Sequence, residues 1–220
     1  MIERTDIAHE KKWSNMHPGQ LQRAYRIVLH ERNRNLSPRE IEVALLAALP
    51  APPERIERTL LAARLLWRAT RSGLIVTIRG DLEFTHAIEV LGRVTEITDW
   101  WTPGEDVRVR ARISRYDITT KRRPVIPRRQ VTQWLEDRVF PDQAPGAHSL
   151  KVHGCPEVYI DRWSEDGTPG QMIPGAEVEF DVPAQSYLTL QRRGLGKVRR
   201  YGMGLPVPVE VLHRAQNNEY

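Results

Sequence analysis

A chain of 220 residues, 40% of them hydrophobic, can hold one large domain or two small ones, and a core forms without staples. Its single cysteine, Cys155, excludes an intrachain disulfide and a cysteine-based metal cluster and suits a reducing, cytoplasmic setting. The net charge of +5 is modest but segregated: Arg108 to Arg129 holds nine cations against Asp117 alone, Arg192 to Arg200 holds five and no acid, and the remainder is net acidic.

Met1 to Leu21 is polar and has no apolar run, so it reads as neither a signal peptide nor an anchor, and no membrane-spanning stretch is expected elsewhere. Residues 1–23 are taken as an N-terminal extension. Tyr25 to Leu29 reads as a short strand. Ser37-Pro38-Arg39-Glu40 supplies an N-cap, a proline at the first helical position and a capping-box glutamate, so a helix starts there. Ile41, Ala44, Leu45, Ala48 and Leu49 recur at helical spacing and form its buried face, which ends at the proline cluster that follows. Leu65 to Thr70 and Leu74 to Ile78 flank a turn and predict a hairpin, and Phe84 to Leu91 a short helix. Val107 to Ile113 alternates strictly, with Arg108, Arg110 and Arg112 on one face at a spacing of roughly 6.6–7 Å. That spacing is close to the step between successive phosphates, and three arginines without an acid favour a polyanion over a solvated sheet face.

The order strand, helix, strand, strand, helix, strand is that of a ferredoxin-like (RRM-like, βαββαβ) unit. It then recurs: a strand at Arg123 to Pro127, a helix at Arg129 to Phe140, an extended stretch from Leu150 to Ile160, a strand at Ala176 to Val182, a helix at Ser186 to Arg193 and a final strand at Met203 to Leu212. The fold class is α+β, two tandem ferredoxin-like domains, 24–113 and 114–220. Between the last helix and the last strand lies Gly194 to Leu205, with Gly194, Gly196, Gly202 and Gly204 interleaved with Lys197, Arg199 and Arg200. Glycine lets backbone approach a bulky partner and the cations add charge and fixed donors, a combination suited to a phosphate backbone. It lacks the spacing of a Walker loop or a dinucleotide fingerprint.

Three blocks together carry a resemblance: Glu40 to Pro50; Val107 to Arg112 followed by Lys121 to Val125 and Gln133-Trp134-Leu135; and the Gly194 to Leu205 loop. In their order and spacing the chain resembles the CasE family, the repeat-cleaving subunit of type I-E Cascade, from about Tyr25 to Val209. The resemblance implies an endoribonuclease of antiviral CRISPR defence that binds the repeat stem-loop of precursor crRNA and cuts at the 3′ base of the stem. The attack is by the adjacent 2′-hydroxyl, without metal or small-molecule cofactor. The implied partners are precursor and mature crRNA and the other Cascade subunits, with no membrane. At the positions of the family's helix histidine and tyrosine this chain has Glu42 and Arg39. The expected catalytic set is therefore Arg39 and Lys197 stabilising the phosphorane, with His30 or Glu42 moving the proton. The expected RNA contacts are Arg108, Arg110, Arg112, Lys121, Arg122, Arg123, Arg128, Arg129, Arg199, Arg200 and the four loop glycines. A non-cleaving hairpin-binding subunit and a helix-turn-helix DNA regulator built on Ser37 to Leu49 are the alternatives. His148, His153 and Cys155 as a zinc site are set aside in favour of strand alternation, and Trp100 and Trp101 are expected to pack a turn rather than to stack on bases.

Overall fold

The computed structural model describes residues 22–50, 65–70, 73–79, 83–97, 106–117, 124–160, 170–196 and 201–217, which form two antiparallel sheets with helices packed on them. The first sheet has four strands, β1 (Gln22–Leu29), β2 (Leu65–Ala69), β3 (Gly73–Arg79) and β4 (Gly92–Ile97), in the order β2-β3-β1-β4. Alternation sends Tyr25, Ile27 and Leu29 of β1 to one face, where they meet Ile41 and Leu45 of α1 (Pro38–Ala47) and the following Ala48 and Leu49. The cap of α1 is as the sequence predicts. The Glu40 amide donates to Ser37 Oγ at 3.3 Å and the Ser37 amide to Glu40 Oε2 at 2.7 Å, which satisfies two amides left orphaned at the helix start. The helix expected at Phe84 to Leu91 is a 3-10 segment, His86–Val90.

The second sheet contains β5 (Val107–Ser114), β6 (His148–Gly154), β8 (Met172–Val182) and β9 (Val207–Pro208), ordered β6-β8-β5-β9, with β7 (Glu157–Tyr159) also paired to β8. Both sheets thus follow the second-third-first-fourth strand order of a ferredoxin-like unit, and the tandem α+β expectation holds. Val109, Ala111 and Ile113 of β5 and Val178, Phe180 and Val182 of β8 are fully buried beneath two helical layers. One layer is α2 (Val131–Trp134), which passes through a π-helical stretch (Leu135–Val139) into α3 (Phe140–Gln143). Pro141 has no N–H to continue the ladder there, and the turn before it widens so that the Phe140 amide reaches back to the Leu135 carbonyl. The other layer is α4 (Ala184–Arg193).

Three expected strands need correction. Val107 to Ile113 is not the fourth strand of the first unit: β5 pairs with β8 and β9, and β4 closes the first sheet. Arg123 to Pro127 is no strand where described, only a bridge between Tyr116 and Val125. Of Met203 to Leu212 only Val207–Pro208 is strand, because Val211, Leu212 and Ala215 lie on one face of a closing helix, α5 (Val209–Asn217). That face packs on Ala24, Leu66, Ile75 and Ile97, the side of the first sheet turned away from α1. Arg26, buried on the same side, donates from Nη2 to the Ala215 carbonyl at 3.0 Å and places a cation at the last turn of α5.

Candidate functional site

The arginine row of β5 is the first feature the sequence singles out, and the register changes its meaning. Arg108, Arg110 and Arg112 stand opposite Asp181, Glu179 and Glu177 of β8. Arg108 grips Asp181 with two bonds of 2.8 Å, Arg110 donates to Glu179 Oε2 from Nε at 3.0 Å and from Nη2 at 2.5 Å, and Arg112 Nε reaches Glu177 Oε2 at 3.2 Å. The row is therefore an ion-pair ladder across two strands, and a phosphate approaching Arg110 or Arg112 competes with a carboxylate already in place. Arg108, with a side chain 58% exposed, keeps an open flank. Asp181 is held below the usual carboxylate range by its bond to Arg108. Burial pushes Glu179 up, but Arg110 and His153 together bring it below its ordinary value.

A residue the sequence did not single out ties this ladder to the first sheet. Arg68 of β2, only 4% exposed, donates through Nη1 to the Arg110 carbonyl at 2.9 Å and pairs through Nη2 with Glu177. Burial lowers the affinity of this guanidinium for its proton and Glu177 offsets that, so Glu177 serves two arginines. A signal was present: Glu177, Glu179 and Asp181 alternate with the same period as the three arginines. Pairing the two strands on paper would have matched the charges.

The glycine loop also docks on both sheets. Gly194, Gly196, Gly202 and Gly204 all have φ between 68° and 81°. The Gly194 amide bonds to the Leu190 carbonyl as α4 ends, Gly196 to Gln143 Oε1 and Gly204 to the Arg112 carbonyl, at 2.6–2.7 Å. These amides are spent on the protein itself and shape the loop. At Gly202 even a methyl group would stand 2.7–3.0 Å from the buried ring of Trp67, so only glycine lets the loop pass. Lys197, Arg199 and Arg200, and Lys121, Arg122 and Arg123, lie outside the described residues, as do Trp100 and Trp101. Arg128 and Arg129 precede α2, exposed and without an acidic partner among the described residues.

Around α1 the expected catalytic residues separate by environment. Arg39 is exposed in the first turn, whereas Glu42, one turn on, is 8% exposed. His30, exposed at the end of β1, donates from Nε2 to the Glu89 carbonyl at 3.0 Å; beside it Asn33 binds the Val90 and Leu91 carbonyls. Nε2 therefore carries a hydrogen, and Nδ1 is left for other work. The Arg39 amide donates to the Ile160 carbonyl at 3.4 Å, and Ile160 packs with Ile173 and with Met203 of the glycine loop. The first turn of α1, the end of β7 and the glycine loop thus converge at Ile160. His148 faces Asp106, His153 bonds to Glu179 and Cys155 packs on the second core, and no group of three metal-ligating side chains forms among the described residues. No described helix is long and apolar enough to cross a membrane.

No protein-family model and no curated protein matches the chain. Among solved structures it is similar to the CRISPR endoribonuclease Cse3 bound to a 19-nucleotide RNA, with 19% identity, a TM-score of 0.59, and 84% of this chain and 98% of that one covered. Thermus thermophilus Cse3 bound to an RNA representing a pre-cleavage complex gives 19% identity, a TM-score of 0.58 and the same coverage. Cas6e from Escherichia coli str. K-12 gives 14% identity, a TM-score of 0.51, and 86% and 100% coverage. Over the 84–86% of its length that these matches cover, the chain has the tandem ferredoxin-like fold of the Cse3 and Cas6e CRISPR endoribonucleases.

Proposed function

We propose that this protein matures CRISPR RNA: it binds the repeat stem-loop of the precursor, cuts at the 3′ base of the stem through the neighbouring 2′-hydroxyl without a metal ion, and stays on the product as a Cascade subunit. The observation that carries this reading is the convergence of the α1 first turn and the glycine loop at Ile160, in the fold of RNA-bound endoribonucleases. Cutting next to a 2′-hydroxyl needs alignment, a proton acceptor and donor, and charge stabilisation. In this reading Arg39, exposed at the convergence, and Lys197 of the loop stabilise the phosphorane. His30, exposed and with Nδ1 uncommitted, is better suited to move the proton than Glu42, which is buried and so less able to reach the phosphate. Arg128, Arg129 and the cations at 121–123 and 199–200 supply the phosphate contacts.

Incubation of excess protein with a cognate repeat hairpin in EDTA tests the reading. Cleavage to a 2′,3′-cyclic phosphate is expected, with Arg39→Ala slowing the single-turnover step more than it weakens binding and His30→Ala altering the pH profile. Tight binding of an RNA that stays intact would instead make this a hairpin-holding subunit, the reading the buried acid on α1 favours. Preference for the same sequence as duplex DNA would end both.

A further inference from the structure

Most large apolar side chains of the described residues are buried, and of the five that are exposed only two face each other. Tyr159 of β7, 50% exposed, stands directly across from Met172 of β8, 37% exposed. Alternation explains their position: Val158, Ile160 and Ile173 turn inward to Met203, so Tyr159 and Met172 turn outward. Among the described residues the Tyr159 ring has no aromatic neighbour and its hydroxyl no hydrogen-bond partner. It is nonetheless held firmly, since the next residue, Ile160, is 3% exposed and its carbonyl accepts from the Arg39 amide. A rigid, open π-face backed by a thioether thus lies one residue from the exposed arginine of α1 and on the outer side of the strand against which the glycine loop packs.

We propose that Tyr159, supported by Met172, is a stacking platform for one unpaired base of the RNA strand next to the stem, and that it positions the scissile linkage at the α1 turn. The inference rests on the function proposed above and adds to it a positioning residue. Its chemistry is that of single-strand recognition, in which a ring takes up any base while nearby cations hold the backbone. A base pinned beside Arg39 limits rotation of the sugar that carries the attacking hydroxyl, and the loss would fall on alignment as well as on affinity.

The test places 2-aminopurine in turn at each nucleotide flanking the stem of a non-cleavable 2′-deoxy repeat and reads fluorescence and affinity for wild type, Tyr159→Ala, Tyr159→Phe and Tyr159→Trp. Quenching at one flanking position is expected with wild type, Phe and Trp and absent with Ala. Affinity for the flanked hairpin should fall roughly 5–150-fold in Tyr159→Ala, while a hairpin trimmed of its flanks binds all four proteins alike. On cleavable RNA, the Phe variant should restore the single-turnover rate that Ala loses. Unchanged quenching in Tyr159→Ala, or equal weakening for trimmed and flanked hairpins, would overturn the platform while leaving RNA binding intact, and would point to a protein-docking surface. No binding of any hairpin by wild type would overturn the proposed function and the platform together.

Discussion

In Glu177→Ala, Arg68 loses its only ionic partner among the described residues while remaining 4% exposed, with Nη1 on the Arg110 carbonyl and Nε without an acceptor among those residues. Removing one member of a buried pair typically costs about 3–5 kcal/mol, because the surviving charge is left uncompensated in a poorly polarisable setting. The reverse deletion is different. In Arg68→Met, Glu177 keeps Arg112 Nε at 3.2 Å, and methionine fills much of the vacated volume, so the change should stay within about 1 kcal/mol of wild type. The double variant strands no buried charge, since Arg112 is 29% exposed and can turn to water, and a coupling energy of about 2–3 kcal/mol is expected. Urea unfolding of the four proteins gives the cycle, and in thermal melts Glu177→Ala alone should fall by roughly 6–20 °C. Equal costs for the two single variants, or strict additivity, would refute the view that Glu177 is there chiefly to neutralise Arg68.

Replacing Asp181 by Asn or Glu179 by Gln should flatten the acid limb of stability. Both carboxyls are held below their ordinary values, so their contribution is complete above the unfolded range of about 4 and is lost as pH falls through the folded values. Urea melts between pH 2 and 6 check this, and an unchanged limb would mean the pairs do not persist in solution. Arg128→Ala with Arg129→Ala, or Arg122→Ala with Arg123→Ala, should each lower the salt slope of hairpin binding by about one to two, whereas Arg110→Ala with Arg112→Ala, taken from ladder pairs, should leave it nearly unchanged. Gly202→Ala should cost at least about 2 kcal/mol, combining a disfavoured φ of 76° with a collision on Trp67. Gly196→Ala, whose nearest neighbours are Ile113 atoms at 3.7–3.9 Å, should show only the backbone cost of about 1–2 kcal/mol. Similar melts for the two would remove Trp67 from the explanation.

Local chemistry was readable wherever it was complete within a few residues. The capping box at Ser37 and Glu40 is one such case, and the alternation of β5 is another. What failed depended on neighbours distant in sequence. Among the described residues β4 pairs only with β1 and leaves Arg93, Thr95 and Glu96 outside, so it has no apolar alternation to announce it, and the stronger signal of β5 took its place. Val207, Val209 and Val211 imitate a strand period, but burial of Val211, Leu212 and Ala215 against the first sheet selects the helix. The arginine row looked unopposed because its acids lie 65–73 residues away, beyond any local window. For the site, the glycines were visible as a loop, but its seating on Trp67 and its meeting with α1 at Ile160 follow from tertiary contact alone.

The covering of the first sheet by α5 also sets an order of events during synthesis. Ala24, Leu66, Ile75 and Ile97 have all left the ribosome about a hundred residues before Leu205, Val207 and Val211, which hide them in the finished fold. At a synthesis rate of about 5–20 residues per second, that face stands bare for on the order of ten seconds while the first unit can already form its strands. A nascent chain stalled short of α5 would therefore present an oily sheet, and this interval is when the chain most needs a chaperone.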